Sequence, residues 1–406
     1  MQCRFCRSND TKLFLALGET PLANSFLSKE DLKADTEPIF PLDVYFCKNC
    51  GLSQISYVVP PENVFKNYIY FTSTSDLVHK HSEYLAASFK DRFKLTDKSF
   101  VMEIASNDGC VLSYFKKTGV RTLGVEPAEN IAKVAIAAGI ETYVDFFNDK
   151  TAAILKDKYG KADVIIGRHV FAHVPEIHGF VKGLKDMLAE NGVIAIEAPY
   201  LADFIDKTEF DTIYHEHLSY LSMKPMSMLF AMYDMELFDV EHVDIHGGSM
   251  IYYIGHKGRH QKTRRYDELL AKEVTGGYNR LETYENFARR TGEIKVDLLR
   301  LLKELKKDGK SIAAYGAPAK GNTLLNYCGI TSDMIDFVVD KSPYKQGLYT
   351  PGTRIPVFAP EKLASDMPDY TLMLAWNFAD EILQQQKEYR EKGGKFIIPI
   401  PRVTVV

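Results

Sequence analysis

Residues 101–127 constrain the fold more than any other stretch of the chain. Val101-Met102-Glu103-Ile104 reads as a strand, Ala105-Ser106-Asn107-Asp108-Gly109 as a tight polar turn, and a helix then leads to a second strand ending in Val125-Glu126-Pro127. The turn has no bulky side chain, so its backbone can approach a ligand closely. Glu126 stands about 20 residues on, where a βαβ unit presents a carboxylate to a ribose diol at the carboxyl ends of its strands. A dinucleotide site uses Gly-x-Gly-x-x-Gly and seats the pyrophosphate on the helix N-terminus. Here Asn107 and Asp108 occupy the turn, and the acid would repel a pyrophosphate while tolerating a cationic nucleoside. S-adenosylmethionine, with its sulfonium and ammonium, fits that charge pattern. The expected donor contacts are Glu103, Ala105, Asn107, Asp108, Gly109, Glu126 and Pro127. The plainer alternative is an αβ turn punctuated by Asn-Asp-Gly.

The chain has 406 residues, long enough for two or three domains, with 46% hydrophobic and 26% charged residues. No run of 18 apolar residues and no signal-peptide pattern occurs, so a cytoplasmic protein without membrane contact is expected. A net charge of −4 argues against a nucleic-acid partner, though a local basic pocket for a phosphorylated small molecule remains compatible.

Cys3-x-x-Cys6 and Cys47-x-x-Cys50 form two knuckles that together supply four thiolates to one Zn²⁺. Four cysteines leave no open coordination position, so the metal is expected to be structural. Cys110 and Cys328 lack such partners and read as buried apolar residues. The aromatic stretch from Val64 to Ser75, including Tyr68 and Tyr70, suits either a polar ligand or a domain seam. A helix is expected over 76–94.

From Phe100 to Tyr200 strands and helices alternate, the pattern of a doubly wound α/β sheet. Asp145 and Phe146 follow a short third strand and suit an adenine amine and ring. A fourth strand ends at Arg168-His169 and feeds His173, one histidine expected to be functional and the other structural. Then comes Asp211-Thr212-Ile213-Tyr214-His215-Glu216-His217, too polar to bury without partners. As metal ligands, the His-Glu-His run lacks helical i, i+4 spacing, and on an extended chain alternation sends Glu216 opposite both histidines. Proton transfer is the better reading, with His217 or His215 as base and Tyr214 and Glu216 orienting it or the substrate. His246-Gly247-Gly248-Ser249 reads either as another pocket wall or as a hairpin turn.

Residues 257–270 look basic and irregular, and 279–308 read as a long amphipathic helix. A second strand–turn–helix–strand–acid unit follows, from Ser311 through Gly316-Ala317-Pro318-Ala319-Lys320-Gly321-Asn322 to Asp340. Its turn is free of acid and carries Lys320, so it suits phosphate. The expected domains are 1–72, 73–256 and 257–406.

Taken together, the cysteine module, Glu-Ile-Ala-Ser-Asn-Asp-Gly, Tyr-His-Glu-His, His-Gly-Gly-Ser and Ala-Tyr-Gly-Ala-Pro-Ala-Lys-Gly-Asn resemble the S-adenosylmethionine-dependent sugar C-methyltransferases, similar to those making 3-C-methyl deoxysugars. The resemblance covers nearly the whole chain. It implies an α/β protein with a small N-terminal zinc-binding module, a central doubly wound class I methyltransferase domain and a C-terminal Rossmann-like domain. It implies a nucleotide-linked ketosugar as acceptor, and monomers or weak oligomers are expected. It makes His217 the base, with Tyr214 and Glu216 beside it and His173 across the pocket. His169 joins the donor contacts; Tyr68 or Tyr70, His215, His246, Lys320 and Asn322 become acceptor contacts. The sequence departs from the family pattern at Met250-Ile251, where Leu-Arg is usual. The rival readings are an O- or N-methyltransferase, a zinc-ribbon RNA methyltransferase and a dehydrogenase with two Rossmann units.

Overall fold

The computed structural model describes residues 1–60, 71–74, 76–245 and 247–406. At the N-terminus the knuckles pack beside an antiparallel sheet of β1 (Thr11–Thr20), β2 (Phe40–Cys47) and β3 (Ser53–Ile55). A fourth strand, β9 (Ser219–Tyr220), pairs with β3. The sequence places those two residues in the central domain, yet they complete the N-terminal sheet.

The central sheet has seven strands in the order β10-β11-β8-β7-β4-β5-β6. They are β4 (Phe100–Ile104), β5 (Arg121–Val125), β6 (Thr142–Tyr143), β7 (Ala162–Arg168), β8 (Leu188–Pro199), β10 (Met235–Val243) and β11 (Ser249–His256). Strands β4 to β8 run parallel, and only β11 is antiparallel to both its neighbours. All of Phe-Val-Met-Glu-Ile in β4 is buried, as expected of a central parallel strand covered on both faces. Helices Asp76–Arg92, Cys110–Lys117, Glu129–Ala137, Asp149–Tyr159 and Ile177–Met187 supply the cover. Chain order reverses between β4 and β7, which opens a crevice at their carboxyl ends.

The stretch expected to be irregular instead contains helix Arg264–Gly276. Thr263 caps it, Gly277 ends it at φ 74°, and Tyr266 and Glu273 turn inward. Its basic residues lie outward or reach a buried acid, as Arg265 reaches Asp239, so the charge run hid an amphipathic helix. Helix Leu281–Lys307 follows, burying Tyr284, Phe287, Ile294, Leu298 and Leu305 along the expected stripe.

The last sheet, β14-β13-β12-β15-β16-β17, is parallel except for β17. Its strands are β12 (Ile312–Tyr315), β13 (Val338–Val339), β14 (Val357–Phe358), β15 (Tyr370–Met373), β16 (Lys395–Ile398) and β17 (Thr404–Val405). Its acid repeats the bonding of the first unit. Asp340 accepts from Ala317 N at 2.6 Å and Ser342 N at 2.8 Å, as Glu126 accepts from Asn107 N and Ala128 N, both at 2.9 Å. Among the described residues no helix is long and apolar enough to cross a membrane.

Candidate active site

The four sulfur atoms of Cys3, Cys6, Cys47 and Cys50 lie within 4.8 Å of one another. Cys3 and Cys50 Sγ are 3.5 Å apart, and Cys6 and Cys47 Sγ 3.6 Å. Zn–S bonds of about 2.3 Å in a tetrahedron give edges of about 3.8 Å, so the set fits a zinc ion as it stands. Each knuckle is turned by a left-handed residue after its second cysteine, Arg7 (φ 60°) and Gly51 (φ 82°). Asn49 Nδ2 also donates to Cys6 Sγ at 3.4 Å, a polarised contact suited to a thiolate. Cys110 and Cys328 are buried elsewhere.

A cavity of about 780 Å³ opens at the crevice and is lined by residues from all three parts of the chain. That volume lies in the upper part of the roughly 300–1,000 Å³ range of small-molecule sites.

The donor half is built by the strand ends. Ala105 (φ 53°) and Asn107 (φ 52°) bring the turn backbone to the cavity wall. Glu126 and Pro127 follow β5, Asp145 and Phe146 follow β6, and His169 follows β7, all lining the cavity. The Glu126 carboxyl is held by two backbone N–H groups, and burial raises its pKa. Glu103 also lines the wall; burial pushes it up to about 8 against the pull of Arg168. Its Oε2 has no hydrogen-bond partner among the described residues, an orphaned acceptor fitted to an ammonium group. A wall rich in acids suits a sulfonium nucleoside, and this half fits S-adenosylmethionine.

Two expected donor contacts belong elsewhere. Asp108 and Gly109 do not line the cavity. Asp108 Oδ1 accepts from Cys110 N at 3.2 Å at the start of the helix, while Oδ2 accepts from Ser73 N at 2.9 Å. Asn107 Oδ1 likewise takes Thr72 N at 2.9 Å. Both side chains thus clasp the segment entering the domain. Gly109 is needed because a Cβ there would meet Ile140 at 2.9 Å.

Beneath the donor half lies a charged group that the sequence reading missed. Glu197 accepts from Arg168 Nε at 3.2 Å, with His81 Nε2 at 2.5 Å and His169 Nε2 at 3.1 Å. Burial opposes ionisation of Glu197, but Arg168 and the histidines hold it well below the usual carboxylate range.

The other half of the cavity centres on His217. Its Nδ1 lies 2.9 Å from Thr212 O, which can only accept, so the proton sits on Nδ1. Nε2 therefore carries the lone pair and accepts from Tyr214 OH at 2.8 Å. His173 has the same tautomer, Nδ1 donating to Glu216 O at 2.6 Å, and its ring centre lies 5.0 Å from that of His217. Burial lowers His173 to about 4 and His217 well below its ordinary value, so both are neutral at pH 7.

Alternation fails at Glu216. The chain turns here, His217 N donating to Tyr214 O at 2.9 Å, so Glu216 and His217 both face the cavity. His215 turns away and packs edge-on against Phe40 at 5.8 Å, off the cavity wall. Burial raises Glu216, whose Oε1 accepts from Asn24 Nδ2 at 2.7 Å.

Lys320 reaches the cavity from helix Ala319–Cys328, 3.7 Å from Glu209 Oε2 and 5.7 Å from the Trp376 ring centre. The turn itself carries no acid, but the central domain brings Glu209 and Asp211 beside it; burial raises both. Asn322 is fully buried and off the cavity, its Nδ2 donating to Ala23 O at 2.7 Å. Tyr68, Tyr70 and His246 lie outside the described residues.

The strand order, the turn backbone at the cavity wall and the crevice carboxylates define an S-adenosylmethionine-dependent methyltransferase carrying a structural zinc site. Comparison with known proteins narrows the class. Residues 3–65 match the family described as a zinc binding domain, 78–240 a methyltransferase domain, and 244–401 a C-methyltransferase C-terminal domain. C-methyltransferase NovU of Streptomyces niveus is 38% identical over 406 residues, spanning 100% of this chain and 96% of that protein. The chain belongs to this C-methyltransferase family. Among solved structures, a methyltransferase from Clostridium acetobutylicum (12% identity, TM-score 0.36) aligns over 46% of this chain and 95% of its own. The plantazolicin methyltransferase BpumL with SAH (14%, TM-score 0.35) aligns over 43% and 82%. These overlaps are too partial to carry any argument about the acceptor.

Proposed function

We propose that the protein methylates a carbon beside the ketone of a nucleotide-linked keto-deoxysugar, at C-3. The observation that carries this reading is the Tyr214–His217 pair, a neutral imidazole with its Nε2 lone pair toward a donor hydroxyl on the cavity wall. Carbon becomes a nucleophile only after a proton beside the carbonyl is removed. His217 Nε2 takes that proton, and Tyr214 O–H turns to the ketone oxygen as negative charge develops there. Burial keeps His217 in its basic form at neutral pH, and an arriving diphosphate with the enolate favours its protonated form afterwards. His173 bounds the opposite side, and Lys320 faces the diphosphate. Bound S-adenosylmethionine supplies the electrophilic methyl group, and the two halves of the cavity hold carbon and methyl in line. The acceptor is a small molecule, with neither nucleic acid nor membrane involved.

The test is deuterium wash-in from D₂O with a panel of nucleotide-linked 4-ketosugars, S-adenosylhomocysteine replacing the donor. Exchange beside the ketone, lost in His217→Gln, is expected, and NMR of the methylated product locates the carbon. Transfer to a hydroxyl or amine with no carbon exchange would move the chemistry to the O- or N-methyltransferase reading.

A further inference from the structure

Within residues 1–60, the zinc module reaches the cavity through the side chain of Asn24. Beyond β1 the chain turns tightly through Pro21-Leu22-Ala23-Asn24, with Ser25 N donating to Leu22 O at 3.0 Å. Asn24 lines the cavity and donates from Nδ2 to Glu216 Oε1 at 2.7 Å. The turn is gripped from the far side by the C-terminal domain. Asn322 Nδ2 donates to Ala23 O at 2.7 Å, and Leu27 exchanges backbone hydrogen bonds with Tyr349, each 2.9 Å. Glu216 in turn accepts His173 Nδ1 on its backbone oxygen and immediately precedes His217. A bracket therefore runs from the C-terminal domain through the zinc module to the residues beside the proposed base.

We propose that Asn24 is a positioning residue of the acceptor half: it fixes the Glu216 carboxyl and, through the Glu216 backbone, the ring of His173. The zinc module is then part of the reaction chamber. The proposal rests on the reading of this half as the acceptor site. An amide is suited to the role because its Nδ2–H donor does not titrate and bonds an ionised carboxyl more strongly than a protonated one, so it works against the upward push of burial on Glu216. The substitution Asn24→Ala leaves the carboxyl without its donor, and Asn24→Asp, which keeps the side-chain shape, sets acid against acid.

The experiment uses the full zinc-loaded chain with Asn24→Ala and Asn24→Asp, zinc content and S-adenosylhomocysteine affinity serving as controls on folding. One arm needs no acceptor. Carbon-13 NMR follows the Glu216 carboxyl, assigned by its loss in Glu216→Gln; its titration midpoint moves upward in Asn24→Ala because a donor to the ionised form is gone. The second arm is kcat for carbon methylation. A fall between about tenfold and a hundredfold is expected with donor affinity unchanged. In the double variant Asn24→Ala/Glu216→Gln the loss is no greater than in Glu216→Gln alone. An unmoved Glu216 titration, or losses that multiply, would overturn the proposal. If the unaltered enzyme methylates no ketosugar carbon, the acceptor reading falls by itself, and the NMR arm still decides whether Asn24 holds Glu216.

Discussion

His173 and His217 each donate Nδ1–H to a backbone carbonyl, so each presents Nε2 to the cavity with one tautomer fixed. Tyr214→Phe keeps the ring against His217 and removes only the hydroxyl. We expect kcat to fall about a hundredfold or more with S-adenosylhomocysteine affinity unchanged, measured by steady-state kinetics and calorimetry. The histidines also give a pH signature. A histidine whose folded value lies below its unfolded value stabilises fully above about pH 6.5. That stability is lost as pH falls toward the folded value, which for His173 is about 4. Melting temperature should drop across that window, and less steeply in His173→Asn. Glu103 has the opposite sign. Its folded value, near 8, lies above the unfolded one, so its contribution is complete below about pH 4.5 and gone above pH 8. Glu103→Gln should therefore raise the melting temperature at pH 9, change it little at pH 4.5, and weaken donor binding.

At the scale of elements, the zinc knuckle and the turn that carries His217 are tied together. Arg4, between the first two cysteines, is buried enough to lower its guanidinium to about 10, yet it stays charged at neutral pH. Its Nη1 donates to Leu218 O at 2.9 Å, and Ile55 N reaches the same oxygen at 3.2 Å. Arg4→Met should cost about 1–3 kcal/mol in denaturant unfolding and lower kcat without releasing zinc. The knuckles, the central strands and the helix Leu281–Lys307 were all legible in the sequence because their signals are local: paired cysteines, buried runs, one apolar stripe. Helix Arg264–Gly276 was not, since its arginines masked the two inward positions. Glu126 was also legible as a cavity carboxylate, standing beside the strand that explains it, whereas the residues left His217 and His215 open and only the family resemblance chose between them. Asn24, Glu209 and Arg168 were missed because their partners lie in other segments. An asparagine in a turn carries no mark of the carboxyl it will meet.

For the whole molecule, the cavity is lined by residues from all three parts of the chain, and its charge is divided accordingly. Acids gather at the donor half, while the C-terminal domain adds Lys320 against the central domain's Glu209 and Asp211. Trp376 Nε1 bonds Asp211 Oδ2 at 2.6 Å and holds that seam closed beneath the lysine. Lys320→Met should raise the acceptor KM by roughly tenfold to a hundredfold, with donor affinity unaltered.

The pairing of β3 with Ser219–Tyr220 bears on how such enzymes can be recombined. A graft that exchanges residues 1–60 for those of a relative cuts a sheet whose last strand stays behind. Leu218 and Ser219, one and two residues beyond His217, would lose the Arg4 and Gln54 they pair with here. Successful hybrids in this family should carry the 212–220 segment as cargo with the cysteine module, although more than a hundred residues of unrelated strand and helix lie between them.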